Sequence, residues 1–304
     1  MREFAFIHEH LIRIAGEGAE SLADDCAWIA NGEGWIVVST DTSIEGVHFP
    51  KSVKGAAATE RAVRVAASDI AAKGVDQIGM LVALSVPQNL DPRLPRGFAL
   101  GIEEAARALG LPLIGGDTTS HDGPLTVTVT VMGKSQKKLL RSGARAGEAL
   151  YLSGPIGDAA LGLRYLQGRP IKGDGMAFTI WENAFLRPEI DFTMGQQIAA
   201  VATSSIDVSD GLLADAAQIA HVSEVGINMH AEALPFSAAT EVHARSSLEI
   251  LQHLVTAGDD YRVLFSAPKH CPIGYYIGDV VDGEGVRLLS DGKDITPTKL
   301  GYTH

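Results

Sequence analysis

Residues 125–132 read LTVTVTVM, and this strict alternation of apolar residues with threonines predicts a β-strand. One face of the strand belongs in a hydrophobic core, while the threonine face is wetter. Predicted strands and helices alternate on both sides of this stretch, but without the regular rhythm of a doubly wound fold. We therefore expect an α+β fold with two domains.

The flanking elements follow from apolar runs and helical spacing. Compact apolar runs predict strands at 35–40, 78–86, 149–153, 227–230 and 261–265. Helical spacing of apolar residues predicts helices at 4–14, 57–73, 96–109, 158–167 and 212–220. The basic segment 134–145 interrupts the pattern, is typical of a solvated loop, and marks the most plausible domain boundary. We place the two domains at 1–138 and 139–304.

Length and composition restrict the class of protein. The 304 residues are 46% hydrophobic and 20% charged, as expected for a globular chain of two domains. A formal charge of −12 argues against a nucleic-acid partner, because binding a phosphate backbone needs a basic face. Two cysteines cannot form a secreted disulfide framework, and the start lacks the apolar core of a signal peptide. No apolar run approaches the roughly 18 residues of a membrane span, so we expect a cytoplasmic protein.

Common nucleotide-binding motifs are missing or ambiguous. GKS at 133–135 ends like a P-loop, but Thr128 stands where that motif needs a glycine. GPIG at 154–157 joins a predicted strand to a predicted helix. There it forms either a phosphate cradle or, more typically, a tight turn.

Six aspartates end apolar runs, or interrupt a helical pattern, beside small residues: Asp25, Asp41, Asp69, Asp117, Asp207 and Asp210. Asp41 is expected where strand 35–40 closes, and Asp69 within an alanine-rich helix. Taken singly, each aspartate is more typical of a helix N-cap or an Asx-turn. Taken together, with hydroxyl neighbours and few nearby cations, they are the ligand set that Mg²⁺ shares with substrate phosphates.

These motifs, in this order, resemble the thiamine-monophosphate kinase family. That family belongs to a superfamily with aminoimidazole ribonucleotide synthetase, the hydrogenase-maturation dehydratase and selenophosphate synthetase. The matching stretches span nearly the whole chain: ADDCA (23–27), STDTSIEGVHF (39–49), SDIAAKG (68–74), IGGDTTS (114–120), RSGARAGEALYLSG (141–154), IDVSDGL (206–212), LPF (234–236), AGDDYRVLF (257–265) and GY (301–302). Two departures from the family pattern, Ala23 and Ala257 where the family usually has glycine, concern local backbone geometry rather than the reaction.

The resemblance implies roles for individual residues. Several Mg²⁺ ions are implied at Asp25, Ser39, Thr40, Asp41, Asp69, Asp117, Asp207 and Asp210. Contacts with ATP are implied for Gly116, Asp117, Arg141 and Ser209. Contacts with the second substrate are implied for His48, Asp259 and Tyr302.

The activity implied is phosphoryl transfer from ATP to thiamine monophosphate, giving thiamine diphosphate, with no covalent residue because the acceptor is already an ionised phosphate. The family fold implies a homodimer whose N-terminal sheets form a barrel, with a C-terminal α+β domain beside it. Two alternatives remain. One is a sister activity of the selenophosphate synthetase or cyclo-ligase type, and the other is a non-catalytic nucleotide-binding regulator.

Overall fold

The computed structural model of the chain describes residues 6–302 and contains two β-sheets. The first sheet has five strands, in the spatial order β1-β2-β5-β3-β4. Their bounds are β1 (Ala27–Asn31), β2 (Gly34–Ile44), β3 (Asp76–Pro87), β4 (Leu113–His121) and β5 (Thr126–Ser135). Neighbouring strands are antiparallel except β3 and β4, which run parallel. By this order, β1 and β4 form the two edges of the sheet.

Two helices, α1 (Ala56–Ala72) and α2 (Leu94–Leu109), contribute to the core that covers one face of the first sheet. Val127, Val129 and Val131 of β5 are fully buried in this core. The opposite face carries threonines, whose hydroxyls pair across β2 and β5. The prediction of a two-faced strand from LTVTVTVM is thus confirmed.

The second sheet has seven strands among the described residues, in the order β12-β11-β8-β10-β6-β9-β7. Its strands are β6 (Ala149–Leu152), β7 (Ser204–Asp207), β8 (Gly226–His230), β9 (Val263–Ala267), β10 (Tyr275–Val281), β11 (Gly285–Ser290) and β12 (Lys293–Asp294). Helices accompany it at α3 (Asp158–Leu166), α4 (Gly175–Leu186), α5 (Phe192–Val201), α6 (Leu212–Ser223), α7 (Ala238–Ala244) and α8 (Leu248–Thr256). Short 3₁₀ or π turns occupy Ile7–Leu11, Ile12–Ile14, Glu20–Leu22 and Ala231–Ala233.

Most of the predicted elements are present, but three differ. Strand β2 does not close at Asp41 but continues to Ile44, because residues 40–44 stay in register with β5. The predicted helix 4–14 begins outside the described residues, and its remainder forms only short π and 3₁₀ turns. The basic segment 134–145 begins as the last two residues of β5 before it becomes a loop.

The mixed two-sheet architecture is confirmed, whereas the boundary between 138 and 139 and the dimer barrel stay predictions. The first sheet ends at Ser135 and the second begins at Ala149, on either side of the predicted boundary. Within residues 6–302, none of the helices is both long enough and apolar enough to span a membrane.

Candidate active site

Three carboxylates from distant parts of the chain meet between the two sheets. Asp25 lies in the loop before β1, Asp69 in the last turn of α1, and Asp207 at the end of β7. One oxygen of each lies within 4.8 Å of the others. The sequence predicted all three as metal ligands, and the fold brings these three together.

Asp25 is held by two basic side chains. Its Oδ1 accepts from Arg141 Nε at 2.9 Å and also from the terminal nitrogen of that guanidinium. Its Oδ2 lies 2.8 Å from Lys73 Nζ, yet it is buried without a well-aligned hydrogen bond within the described part of the chain. Burial alone would raise the pKa of Asp25, but the charges of Lys73 and Arg141 outweigh burial and lower it to about 2.

The other two carboxylates resist ionisation in the protein alone. Ser39 donates a hydrogen bond to Asp69, and Ser68 donates to Asp207 at 2.6 Å. Burial, and then the charges of Asp207 and Asp25, raise the pKa of Asp69 well above its ordinary value. Burial and the charge of Asp25 raise the pKa of Asp207 to about 7.

This donor set fits a hard divalent cation. Oxygen ligands of this kind are those that Mg²⁺ prefers, and a cation among them removes the repulsion that raises the two pKa values. Asp25, whose Oδ2 has no well-aligned hydrogen bond among the described residues, is a member of the same cluster. The three carboxylates are therefore suited to the Mg²⁺ that the sequence predicted.

The remaining predicted metal ligands on the first sheet lie outside this three-carboxylate cluster. Asp41 shares a strand face with Ser39, and its Oδ1 accepts from the backbone of Thr42 at 2.7 Å. The hydroxyl of Thr40 lies on the opposite face, 2.9 Å from Thr130 Oγ1. Asp117 is exposed on the edge strand β4.

Gly116 precedes Asp117 on β4 and packs directly against its neighbouring strand. A Cβ atom at this position would lie 1.9 Å from the carbonyl oxygen of Val82, so no side chain fits. The glycine of the GGD motif is therefore required for the parallel pairing of β3 with β4 that positions Asp117.

The turn that carries Ser209 and Asp210 is organised by a residue that sequence reasoning missed. Asp215 Oδ2 accepts from three successive backbone N–H groups, of Ser209, Asp210 and Gly211, at 3.0, 3.1 and 3.2 Å. Burial, followed by the charges of Asp210 and Asp207, raises the pKa of Asp215 well above its ordinary value. An aspartate in the first turn of a predicted helix was the available signal.

The same turn connects to the predicted substrate residues. The Ser209 carbonyl accepts from the backbone N–H of Asp259 at 2.9 Å, and the Asp210 carbonyl accepts from that of Tyr302 at 2.8 Å. The side chain of Asp259 pairs with Arg61, another residue that the sequence analysis did not single out. His48 accepts from the backbone of Ile44 at 2.9 Å through Nδ1. The turn at Ser209 and Asp210 thus contacts two of the predicted substrate residues, Asp259 and Tyr302, through their backbone. The hydrogen bond of His48 is instead to Ile44.

Two backbone N–H groups of the GPIG segment (154–157) form hydrogen bonds within the protein. The N–H of Gly157, the residue before α3, donates to Asp260 Oδ1 at 2.7 Å. The N–H of Ile156 donates to the Pro235 carbonyl at 3.1 Å. Both donors are satisfied within the protein, which does not favour the phosphate-cradle alternative.

Known proteins share both the fold and these motifs. Residues 23–135, which contain the five strands of the first sheet, match the family model described as "AIR synthase related protein, N-terminal domain". The thiamine-monophosphate kinase of Caulobacter vibrioides is 31% identical over 94% of this chain and 85% of the relative. That of Escherichia coli is 31% identical over 99% of this chain and 98% of the relative. This chain belongs to the thiamine-monophosphate kinase family.

A solved structure described as AaThiL complexed with AMPPCP and TMP has a TM-score of 0.88 against this chain. Its sequence identity is 28%, and the match covers 100% of this chain and 97% of that one. The similarity therefore extends over both sheets.

Proposed function

We propose that this protein transfers the terminal phosphoryl group of ATP to thiamine monophosphate, giving thiamine diphosphate. The observation that carries the proposal is the convergence of the carboxylates of Asp25, Asp69 and Asp207. The curated relatives are thiamine-monophosphate kinases, and AaThiL binds TMP together with AMPPCP, an analogue of ATP.

The residues of this chain act by holding and orienting charge. Asp25, Asp69 and Asp207 would hold Mg²⁺, with Ser39, Thr40, Asp41, Asp117 and Asp210 completing the proposed metal sites. When bound, Mg²⁺ supplies the positive charge that two polyanionic substrates need in order to approach each other. The acceptor is an ionised phosphate oxygen, so the protein needs no general base and no covalent nucleophile. Alignment by these side chains is then the main contribution to the rate.

The two substrates have separate proposed contacts. Gly116, Asp117, Arg141 and Ser209 are assigned to ATP, and His48, Asp259 and Tyr302 to thiamine monophosphate. Burial would lower the pKa of Arg141, but the charge of Asp25 outweighs it and raises the pKa, so this guanidinium stays positive beside the cluster. Arg141 is therefore suited both to fix Asp25 and to meet an anionic phosphate.

We also propose a homodimer in which the first sheet forms half of a barrel. The first eight residues of edge strand β4 are exposed, including the apolar pair Leu113 and Ile114. An apolar groove of about 860 Å³ lies beside it, lined in part by Phe98 and Ile102 of α2. An exposed strand edge next to an apolar surface favours pairing with a second copy.

A reducing compartment such as the cytoplasm suits this chain. Cys26 and Cys271 are both free thiols, and the proposed co-substrate is ATP.

The proposed function is tested by incubating the purified protein with ATP, thiamine monophosphate and Mg²⁺ and separating the products by chromatography. We expect stoichiometric formation of ADP and thiamine diphosphate. Hydrolysis of ATP without thiamine diphosphate would support a sister activity, and no turnover of ATP would support a non-catalytic regulator.

A further inference from the structure

Lys73 is a fully buried lysine at the C-terminus of α1, next to the carboxylate cluster. Its Nζ lies 2.9 Å from Asp24 Oδ1 and 2.8 Å from Asp25 Oδ2. It also donates to the Ser205 carbonyl of β7 at 3.0 Å. Its three contacts therefore join α1, the loop before β1 and the second sheet.

The carboxyl groups around this lysine outnumber the basic side chains that contact them. Four carboxyl groups lie here, those of Asp24, Asp25, Asp69 and Asp207. Among the described residues, the basic side chains that form ion pairs with this group are Lys73 and Arg141. Asp24 has further partners, because the backbone N–H of Arg141 and the indole of Trp28 donate to it at 2.8 and 3.0 Å. Clustering carboxylates away from water is unfavourable unless cations compensate them.

We propose that Lys73 is a built-in cation of the metal site, a positioning residue that does for the Asp24–Asp25 side what a divalent ion does for the Asp69–Asp207 side. This inference rests on the magnesium site of the proposed function. Lys73 holds Asp25 Oδ2, and the Asp25 carboxylate also contributes an oxygen to the three-carboxylate cluster. The charge of Asp25 is thereby compensated before any ion binds.

Two consequences distinguish this role from simple packing. Without Lys73, the Asp24–Asp25 pair loses a compensating positive charge, so the metal-free protein is destabilised. The uncompensated carboxylate attracts Mg²⁺ more strongly, because opposite charges a few ångströms apart attract each other in a partly buried site. Loss of a purely structural contact would lower stability equally with and without Mg²⁺.

The test compares wild type, Lys73→Met and Lys73→Arg by thermal unfolding in EDTA and in about 10 mM Mg²⁺, without nucleotide. We expect Mg²⁺ to raise the Tm of Lys73→Met more than that of wild type, and isothermal titration to show Mg²⁺ binding tighter by about tenfold. Lys73→Arg keeps the charge, so its response should match wild type.

The matched control is Lys137→Met. Lys137 Nζ donates to two main-chain carbonyls, of Ala199 and Ala202, at 3.1 and 3.2 Å. Its removal should leave the Mg²⁺-induced change in Tm as in wild type.

The possible results separate the inference from the function on which it rests. The strongest supporting result would be a Lys73→Met protein that is folded in Mg²⁺ and unfolds when EDTA removes the Mg²⁺. If Lys73→Met does not fold in either condition, Lys73→Gln replaces it in the same comparison. Equal Mg²⁺ responses in wild type and in the uncharged variant would overturn the role of Lys73 alone. No response to Mg²⁺ in any variant would overturn the metal site as well.

Discussion

Arg61 Nη2 donates to Asp259 Oδ1 at 2.5 Å, and this ion pair joins α1 to the loop before β9. The guanidinium also lies 3.8 Å from the centre of the Phe185 ring and donates to the Phe185 carbonyl. Tyr261 donates its hydroxyl to the same carboxylate oxygen at 3.0 Å. The carboxylate predicted to contact thiamine monophosphate is thus already paired with Arg61, so any contact with substrate depends on the whole pair.

Breaking this pair should destabilise the protein. Asp259→Ala leaves the buried Arg61 charge uncompensated, and we expect the free energy of unfolding to fall by about 3–5 kcal/mol. Arg61→Met combined with Asp259→Ala should recover part of that loss, as measured by urea denaturation. The exposed pair of Arg93 and Asp91 is the control, and Arg93→Met there should change nothing measurable. Strictly additive losses in the double variant would contradict the coupling.

Asp259→Asn tests recognition with less disturbance, because an amide oxygen can still accept from Arg61 and Tyr261. We expect the KM for thiamine monophosphate to rise and the KM for ATP to stay nearly constant. Equal weakening of both substrates would assign Asp259 to the structure of the loop instead.

For His48, two substitutions separate substrate contact from loop structure. Asparagine can reproduce the Nδ1 acceptor that binds the Ile44 N–H, whereas alanine cannot. If the ring contacts substrate, His48→Asn and His48→Ala should both raise the KM for thiamine monophosphate and leave that for ATP nearly unchanged. Recovery of wild-type KM in His48→Asn alone would show that the residue serves the loop.

Asp69→Asn should remove at least about 99% of activity while the fold remains intact, because it deletes a proposed Mg²⁺ ligand. Burial, and then the charges of Asp207 and Asp25, raise the pKa of Asp69. The neutral asparagine should therefore not lower the Tm measured in EDTA. Asp122→Asn, at an exposed position, is the control. Near-wild-type activity with unchanged Mg²⁺ dependence would rule out Asp69 as a ligand.

The dimer is tested at edge strand β4. Light scattering should give twice the chain mass of 32.1 kDa, and the interface should bury more than about 1,600 Å². Ile114→Glu should shift the protein towards monomer, because it buries a charge at the pairing edge. Val242→Glu changes an exposed valine of α7 and should not. A wild-type particle of 32.1 kDa at micromolar concentration would count against the dimer.

Asp260 should make stability depend on pH. Burial raises the pKa of Asp260 well above its ordinary value, although the Gly157 N–H and Arg262 oppose the shift. A group whose pKa is raised in the folded state contributes stability at low pH that is lost as pH rises through that pKa. The Tm of Asp260→Asn relative to wild type should therefore increase as the pH rises above the ordinary aspartate pKa of about 4. A constant difference would contradict this assignment.

Local patterns determined the elements and the chemical character of the site. Alternation at 125–132 requires a strand with one buried face, because successive side chains point to opposite sides. Asp69 and Lys73 were placed on one helix by spacing alone. Where a strand stops depends on its partner: β2 runs past Asp41 because β5 continues to pair with it.

Only the tertiary structure decided which charges meet. Arg61 and Asp259 are 198 positions apart, and Lys73 contacts Asp24 across 49 positions. Periodicity reports which face of an element is buried, but not which residue from another segment lies against it. The sequence alone therefore indicated six aspartates suited to a metal. The fold selected Asp25, Asp69 and Asp207 as one cluster, because the loop before β1, the end of α1 and the end of β7 converge between the two sheets.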